Sequence, residues 1–100
     1  MKKVNVLGTE YTLECEKLEN CDGFCDKTTH RVVVLENPED SDLGDFDSYP
    51  RKGARHELIH AFLFESGLHQ EFGHDEVTID WMAAQFPKMV KCFREAGCLE

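Results

Sequence analysis

The chain has 100 residues, of which 41% are hydrophobic and 10% aromatic, a composition typical of a folded globular protein and not of a disordered one. This length allows one domain with a single modest core, so we treat residues 1–100 as one domain. Twenty acidic and eleven basic residues give a formal net charge of −9. That charge repels a phosphate backbone and an anionic membrane surface, so we expect neither nucleic acid nor a membrane as a partner.

The N-terminal residues and the cysteine count indicate the compartment. In "MKKVNVLGTEYTLE" polar and charged residues follow the two lysines before any apolar run of signal-peptide length. No stretch of the sequence approaches the length of a membrane span. The five cysteines are an odd number and cannot complete a disulfide framework within one chain, so reduced thiols are expected. These features predict a cytoplasmic protein.

The first third of the chain is predicted to form strands. Residues 3–7 and 10–15 flank Gly8-Thr9 and suit a short hairpin. The stretch "ENCDGFCDKTTH" is predicted to be a loop, and the β-branched run "RVVVLE" at 31–36 a buried strand. The acidic residues 36–47 lack the ligand pattern of an EF-hand, which favours a solvated connector.

Two helices are predicted in the remainder. The first has Pro50 in its first turn and stops at Gly67, and the second runs from about Asp75 to Gly97. Pro87 is expected to kink the second helix or split it in two, because proline lacks an amide hydrogen and clashes with the preceding turn. Strands that precede helices indicate an α+β fold, in which a small antiparallel or mixed sheet packs on both helices.

The first predicted helix contains the string His56-Glu57-Leu58-Ile59-His60, an H-E-x-x-H motif. Residues four apart on an α-helix project from one face, which is the geometry that two imidazoles need to bind one zinc ion. Glu57 lies on the adjacent flank, where a carboxylate serves as general base toward zinc-activated water. The alternative is a buried helix whose histidines are merely hydrogen-bonded, since "LIHAFLF" is nearly apolar.

A catalytic zinc needs a third protein ligand. The sequence "DEVTID" offers Glu76 in the first turn of the second helix and Asp80 one turn later on the same face. Glu76 would ligate the metal, while Asp80 would accept the spare N–H of a ligating histidine and fix its tautomer. His69 and His74 remain possible ligands. Glu65 falls near the end of the first helix, about 140 degrees around from His60, which favours a solvent-facing or capping role.

The two motifs together resemble a known class of enzymes. H-E-x-x-H followed by a helix with Glu-x-x-x-Asp resembles the gluzincin pattern. The segments "RHELIHAFLFESGL" and "DEVTIDWMAAQFPKMVKCFREAGCL", with "CDGFCD" before "HRVVVLE", resemble small phage- or prophage-encoded zinc metallopeptidases, minimal zincins related in layout to SprT-like and ImmA-type proteins. The resemblance implies zinc held by His56, His60 and Glu76, with Asp75 as the alternative carboxylate. It also implies Glu57 as catalytic base, a peptide or protein substrate and, for a phage protein, the host cytoplasm.

Several points stay open at this level. Tyr49, His69, His74 and Arg94 are all candidates for stabilising a reaction oxyanion, and the sequence does not choose among them. By analogy with zincins, "RVVVLE" is the candidate for the sheet edge, or its neighbour, to which an extended substrate adds. A second function is a non-catalytic, metal-stabilised zincin-fold protein that binds a host or phage protein. The small size of the chain favours this second function, since few residues remain for substrate subsites.

Overall fold

The computed structural model describes residues 2–16, 23–35, 48–68 and 74–99. At residues 35 and 48–50 it describes the backbone alone. The elements are β1 (Lys2–Val6), β2 (Thr9–Glu16), β3 (Gly23–Asp26), β4 (Arg31–Leu35), α1 (Ser48–Ser66) and α2 (Glu76–Ala96). The α+β class is confirmed, as a four-stranded mixed sheet with two helices. The acidic connector predicted at 36–47 lies outside the described residues. Within the described ranges, no helix is both long and apolar enough to cross a membrane.

The predicted N-terminal hairpin is confirmed, with its turn one residue earlier than expected. Leu7 and Gly8 have φ values of 51° and 95°, and two consecutive positive φ values suit the right-handed twist of the strands in a two-residue hairpin. The Gly8 amide also donates to Asn5 Oδ1 at 2.8 Å. Thr9 therefore starts β2 and does not belong to the turn.

The sheet has the strand order β1-β2-β4-β3, with β2 and β4 parallel and the other neighbours antiparallel. The loop predicted at 19–30 is wrong at Gly23–Asp26, which forms the edge strand β3 of the described sheet, whereas residues 27–30 form a turn. Four residues are too few to show an alternating pattern, and this strand forms by pairing with β4, for example Cys25 with Val32. The predicted strand at 31–36 is confirmed as β4, which is internal and neighbours the edge.

Helix α1 packs on one face of the sheet and brings the core together. Val6, Tyr11, Val32 and Ala61 are almost completely buried and form one cluster. The Tyr11 hydroxyl donates to Glu65 Oε2 at 2.7 Å, and the Thr9 hydroxyl donates to Glu65 Oε1 at 2.7 Å. The solvent-facing or capping role predicted for Glu65 is therefore wrong, since its carboxylate joins the last turn of α1 to β2.

Both helices end in the same way. Gly67 and Gly97 have φ values of 77° and 75°, the left-handed conformation that glycine adopts without a steric penalty. After each glycine, the following amide bonds back to a carbonyl of the last turn, Leu68 N to Leu63 O at 3.2 Å and Cys98 N to Phe93 O at 3.0 Å. This arrangement is the Schellman motif. It ends each helix at the glycine where the sequence predicted the end.

Helix α2 continues unbroken through Pro87, so the predicted division into two helices is wrong. A proline cannot donate to the carbonyl four residues earlier, which here is that of Ala83. Arg55 of α1 donates its Nε–H to Ala83 O at 2.6 Å, and Ala83 is fully buried. The neighbouring helix thus supplies the hydrogen bond that Pro87 removes, and the same bond fixes α1 against α2.

We predict that Arg55→Met lowers the free energy of unfolding by about 2 kcal/mol, because it leaves the buried Ala83 carbonyl without a donor. Pro87→Ala restores an amide that can donate to this carbonyl, so the cost of Arg55→Met should fall by at least about half in that background. Urea unfolding of the four metal-free proteins measures both costs. Equal costs in the two backgrounds would show that the Arg55 contact does not compensate for Pro87.

The Glu65 contacts predict a pH dependence of stability. The hydrogen bond from Tyr11, together with that from Thr9, lowers the pKa of Glu65. A carboxyl with a lowered folded-state pKa stabilises the fold above its unfolded pKa, and this contribution is lost as the pH falls through the folded pKa. Wild type should therefore be more stable than Glu65→Gln at pH 7, and the difference should shrink on acidification. Chemical unfolding between pH 7 and pH 3 would contradict this if the difference stayed constant.

Candidate metal centre

Helix α1 presents two imidazoles side by side, as the motif spacing predicts. The ring centroids of His56 and His60 are 5.2 Å apart. Their side chains are only 13% and 10% exposed, so both rings are largely withdrawn from water. Burial is the main cause that lowers the pKa of His60, with His74 and His56 adding to it and Glu76 opposing it. This shift favours the neutral His60 ring, the form in which an imidazole nitrogen binds a metal.

Glu76 brings a carboxylate from α2 to both imidazoles. Its Oε2 lies 3.0 Å from His56 Nε2, and its Oε1 lies 2.7 Å from His60 Nε2. One ligand atom from each of the three residues lies within 4.8 Å of the other two. Carboxylate oxygens only accept hydrogen bonds, so their approach to two imidazole nitrogens requires a proton or a metal cation between them. Two histidines and one carboxylate are also a known donor set for catalytic zinc, so these residues fit such an ion.

Asp80 lies against the other nitrogen of His56. Its Oδ1 is 3.2 Å from His56 Nδ1, and its Oδ2 is 3.0 Å from Lys52 Nζ. The hydrogen bond from Lys52 is the largest influence that lowers the pKa of Asp80, and His56 lowers it further. A charged Asp80 can only accept, which places the ring proton on Nδ1 and leaves His56 Nε2 directed at Glu76. This is the contact predicted for Asp80.

His74 supports His60 in the corresponding way. The Nδ1 atoms of His60 and His74 are 2.6 Å apart, and the two ring planes are within 10° of parallel, with centroids 4.8 Å apart. A single proton between the two nitrogens makes this a hydrogen bond, which leaves His60 Nε2 for Glu76. The sequence left His74 open as a ligand, whereas the structure places it on the far nitrogen of His60. It is therefore suited to orient that ring.

Asp75, the alternative carboxylate, is occupied elsewhere. It immediately precedes α2, and its Oδ2 accepts a hydrogen bond from the Thr78 hydroxyl at 2.5 Å. This bond is the main cause that lowers the pKa of Asp75. Of the two acidic residues at the start of α2, the structure therefore brings only Glu76 between the imidazoles.

Glu57 faces a different neighbour from the histidines that flank it. It is half-buried between α1 and the start of β3, where Gly23 passes close to its side chain. Burial is the main cause that raises the pKa of Glu57, while His56 lowers it and Glu76 raises it. A carboxylate with a raised pKa is a stronger base, and Glu57 directly follows the candidate ligand His56 in α1.

Four residues were candidates for stabilising an oxyanion. His69 lies outside the described residues, as does the side chain of Tyr49. Arg94 is eighteen residues beyond Glu76 in the same helix, about 27 Å away at 1.5 Å per residue, which removes it from the site. Of these four residues, only His74 is placed beside a candidate ligand.

Two residues that support the site, Lys52 and Arg55, were not predicted from the sequence. Lys52 lies one helical turn before His56 and pairs with Asp80, and the spacing of Lys52, His56 and His60 by fours was a visible signal. Arg55 holds α1 against α2 next to His56, but its partner is a backbone carbonyl. No sequence pattern identifies such a contact.

No protein-family model matches the chain, and neither a curated protein nor a solved structure is significantly similar to it.

We predict that the purified protein binds about one zinc ion per chain, because the three donor groups converge on one point. His60→Ala should abolish binding by removing one donor, and Asp80→Asn should weaken it about 10- to 100-fold by loosening the orientation of His56. Isothermal titration with zinc, checked by elemental analysis, measures both effects.

The control for this titration is His30→Asn, because His30 lies outside the cluster and asparagine tolerates its positive φ of 55°. The control should bind zinc as wild type does. Equal zinc affinity of wild type and His60→Ala would refute the site.

Proposed function

We propose that the protein is a zinc-dependent metallopeptidase of minimal gluzincin-like form. The observation that carries the proposal is the Glu76 carboxylate, which lies 3.0 Å and 2.7 Å from the Nε2 atoms of His56 and His60. Two further features support it. Each imidazole has its Nδ1 held by another side chain, and a half-buried glutamate with a raised pKa adjoins the cluster.

Each residue of the site has a distinct role in the proposed reaction. His56, His60 and Glu76 hold the ion, while Asp80 and His74 orient the two rings. When bound, zinc would act as a Lewis acid that polarises a carbonyl group and lowers the pKa of water. Glu57 takes a proton from the hydrolytic water as general base, and delivers it to the leaving amine as general acid. Its raised pKa suits the first transfer, because a higher pKa makes the carboxylate a stronger base.

The edge strand β3 offers a binding surface for the substrate. Among the described residues it is paired on one side only, with β4, and it packs beside α1. An extended peptide that adds to its free edge would form main-chain hydrogen bonds and pass next to Glu57. The sequence offered "RVVVLE" as this edge or its neighbour. It is the neighbour, because this strand is β4 and has a partner on each side.

We predict that Glu57→Gln lowers kcat for peptide hydrolysis by about 100-fold or more, because a neutral amide cannot take the proton from water. Zinc stoichiometry should be unchanged, since Glu57 is not one of the three clustered donors. Release of fluorescent peptides from a labelled unstructured protein, with zinc measured on the same samples, tests both statements. Cleavage that persists in Glu57→Gln would remove Glu57 from the mechanism.

A second candidate function is a metal-stabilised binding protein without turnover. Phe86 and Phe93 support it, because they are 44% and 37% exposed on the second half of α2, and exposed aromatic side chains are common in protein interfaces. In this case the zinc-loaded wild type and Glu57→Gln should bind a partner equally, and neither should cleave it.

A further inference from the structure

We propose that Gly23 is a positioning residue for Glu57. The missing side chain at the start of β3 leaves the space in which the Glu57 side chain lies against the edge of the sheet. The inference rests on the proposed function for the role of Glu57, but the contact itself is independent of any activity.

The distances around Gly23 carry this inference. A Cβ atom at this position would lie 3.3 Å from Glu57 Oε2 and 3.4 Å from Glu57 Cγ. It would also lie 2.7 Å from the backbone oxygen of Val33 on β4, which is closer than a carbon and an oxygen can pack. Three atoms from two elements therefore surround the place that a side chain would need.

The requirement for glycine here is spatial and not conformational. Gly8, Gly67 and Gly97 have positive φ values, whereas Gly23 does not. An alanine could therefore adopt the backbone conformation of Gly23, and only its methyl group would be in the way. By contrast, a Cβ at Gly53, which lies in α1, would meet only Val34 Cγ1 at 3.9 Å, an ordinary contact. Gly53→Ala is thus a matched control.

A methyl group at position 23 has two ways to be accommodated. Movement of β3 away from the Val33 carbonyl breaks its pairing with β4, and displacement of the Glu57 side chain moves the carboxylate from its position beside Gly23. The clustered ligands lie between α1 and α2, and the contacts of His56 and His60 with Glu76 join these two helices. Gly23→Ala should therefore disturb the base and leave the metal ligands in place.

A stability cycle separates the two contacts without any activity measurement. In metal-free protein, we expect Gly23→Ala to raise the unfolding equilibrium constant. In the Glu57→Ala background the increase should be at least about 5-fold smaller, since the clash with Glu57 is then absent and only that with Val33 remains. If Gly23→Ala alone does not fold, folding of the double variant also supports the proposal.

Two outcomes of this cycle overturn the proposal. The first is an equal increase in both backgrounds. The second is failure of both Gly23→Ala and the double variant with Glu57→Ala to fold. Each of these outcomes would show that glycine at position 23 is needed only to accommodate β4.

The second arm measures hydrolysis by zinc-loaded protein. Gly23→Ala should lower kcat several-fold, because the displaced carboxylate loses part of its alignment with the reacting water, while KM and zinc content stay near wild type. Gly53→Ala should match wild type, and Gly23→Ala should cause no further loss in the Glu57→Gln background. An unchanged kcat per folded molecule overturns the positioning role. If wild type cleaves nothing, the proposed function fails, and the stability cycle alone decides the inference.

Discussion

The contact between α1 and α2 is the constraint on which the rest of the site depends. His56 and His60 come from one helix and Glu76 and Asp80 from the other, so the candidate centre exists only when the two helices keep their register. The hydrogen bond from Arg55 to Ala83 O fixes that register one residue away from His56. The Ala83 carbonyl is available as an acceptor because Pro87 has no amide hydrogen to donate to it. A residue that usually weakens a helix thus provides the point at which the other helix attaches.

The chemistry divides between two interfaces of α1. Its contact with α2 gathers the candidate metal ligands, and its contact with the sheet holds Glu57 beside Gly23. His56 and Glu57 are adjacent in sequence and so project about 100 degrees apart on a helix, which sends them to different neighbours. This division leaves Glu57 half-buried, while His56 and His60 remain next to Glu76, whose side chain is 67% exposed.

Burial changes the pKa values of His60 and Glu57 in opposite directions. Both changes suit the proposed metal-dependent hydrolase. Burial lowers the pKa of His60 and raises that of Glu57, because removal from water disfavours whichever form is charged. The histidine stays neutral and able to donate its lone pair, and the glutamate becomes a better base. Asp80 differs because Lys52 pairs with it, so it remains an anion that can hold the Nδ1 proton of His56.

The sequence by itself determined the parts of this protein that depend on local spacing. Both helices and their glycine ends, the β-branched strand β4 and the hairpin follow from periodicity and turn residues, because each forms through contacts a few residues apart. The approach of Glu76 and Asp80 to the motif histidines could also be predicted from the sequence. Side chains four residues apart share one face of a helix, and two such faces meet when the helices pack together. The role of these residues as metal ligands stays a prediction.

Only the tertiary structure decided the contacts between residues distant in sequence. Gly23–Asp26 is a strand because β4 pairs with it, Glu65 is an anchor because Tyr11 and Thr9 reach it, and α2 tolerates Pro87 because Arg55 replaces the lost donor. The space left by Gly23 likewise has meaning only beside Glu57. The physical reason is common to all four cases. A hydrogen bond or a steric limit depends on which partner the fold brings near, and no local pattern encodes that partner.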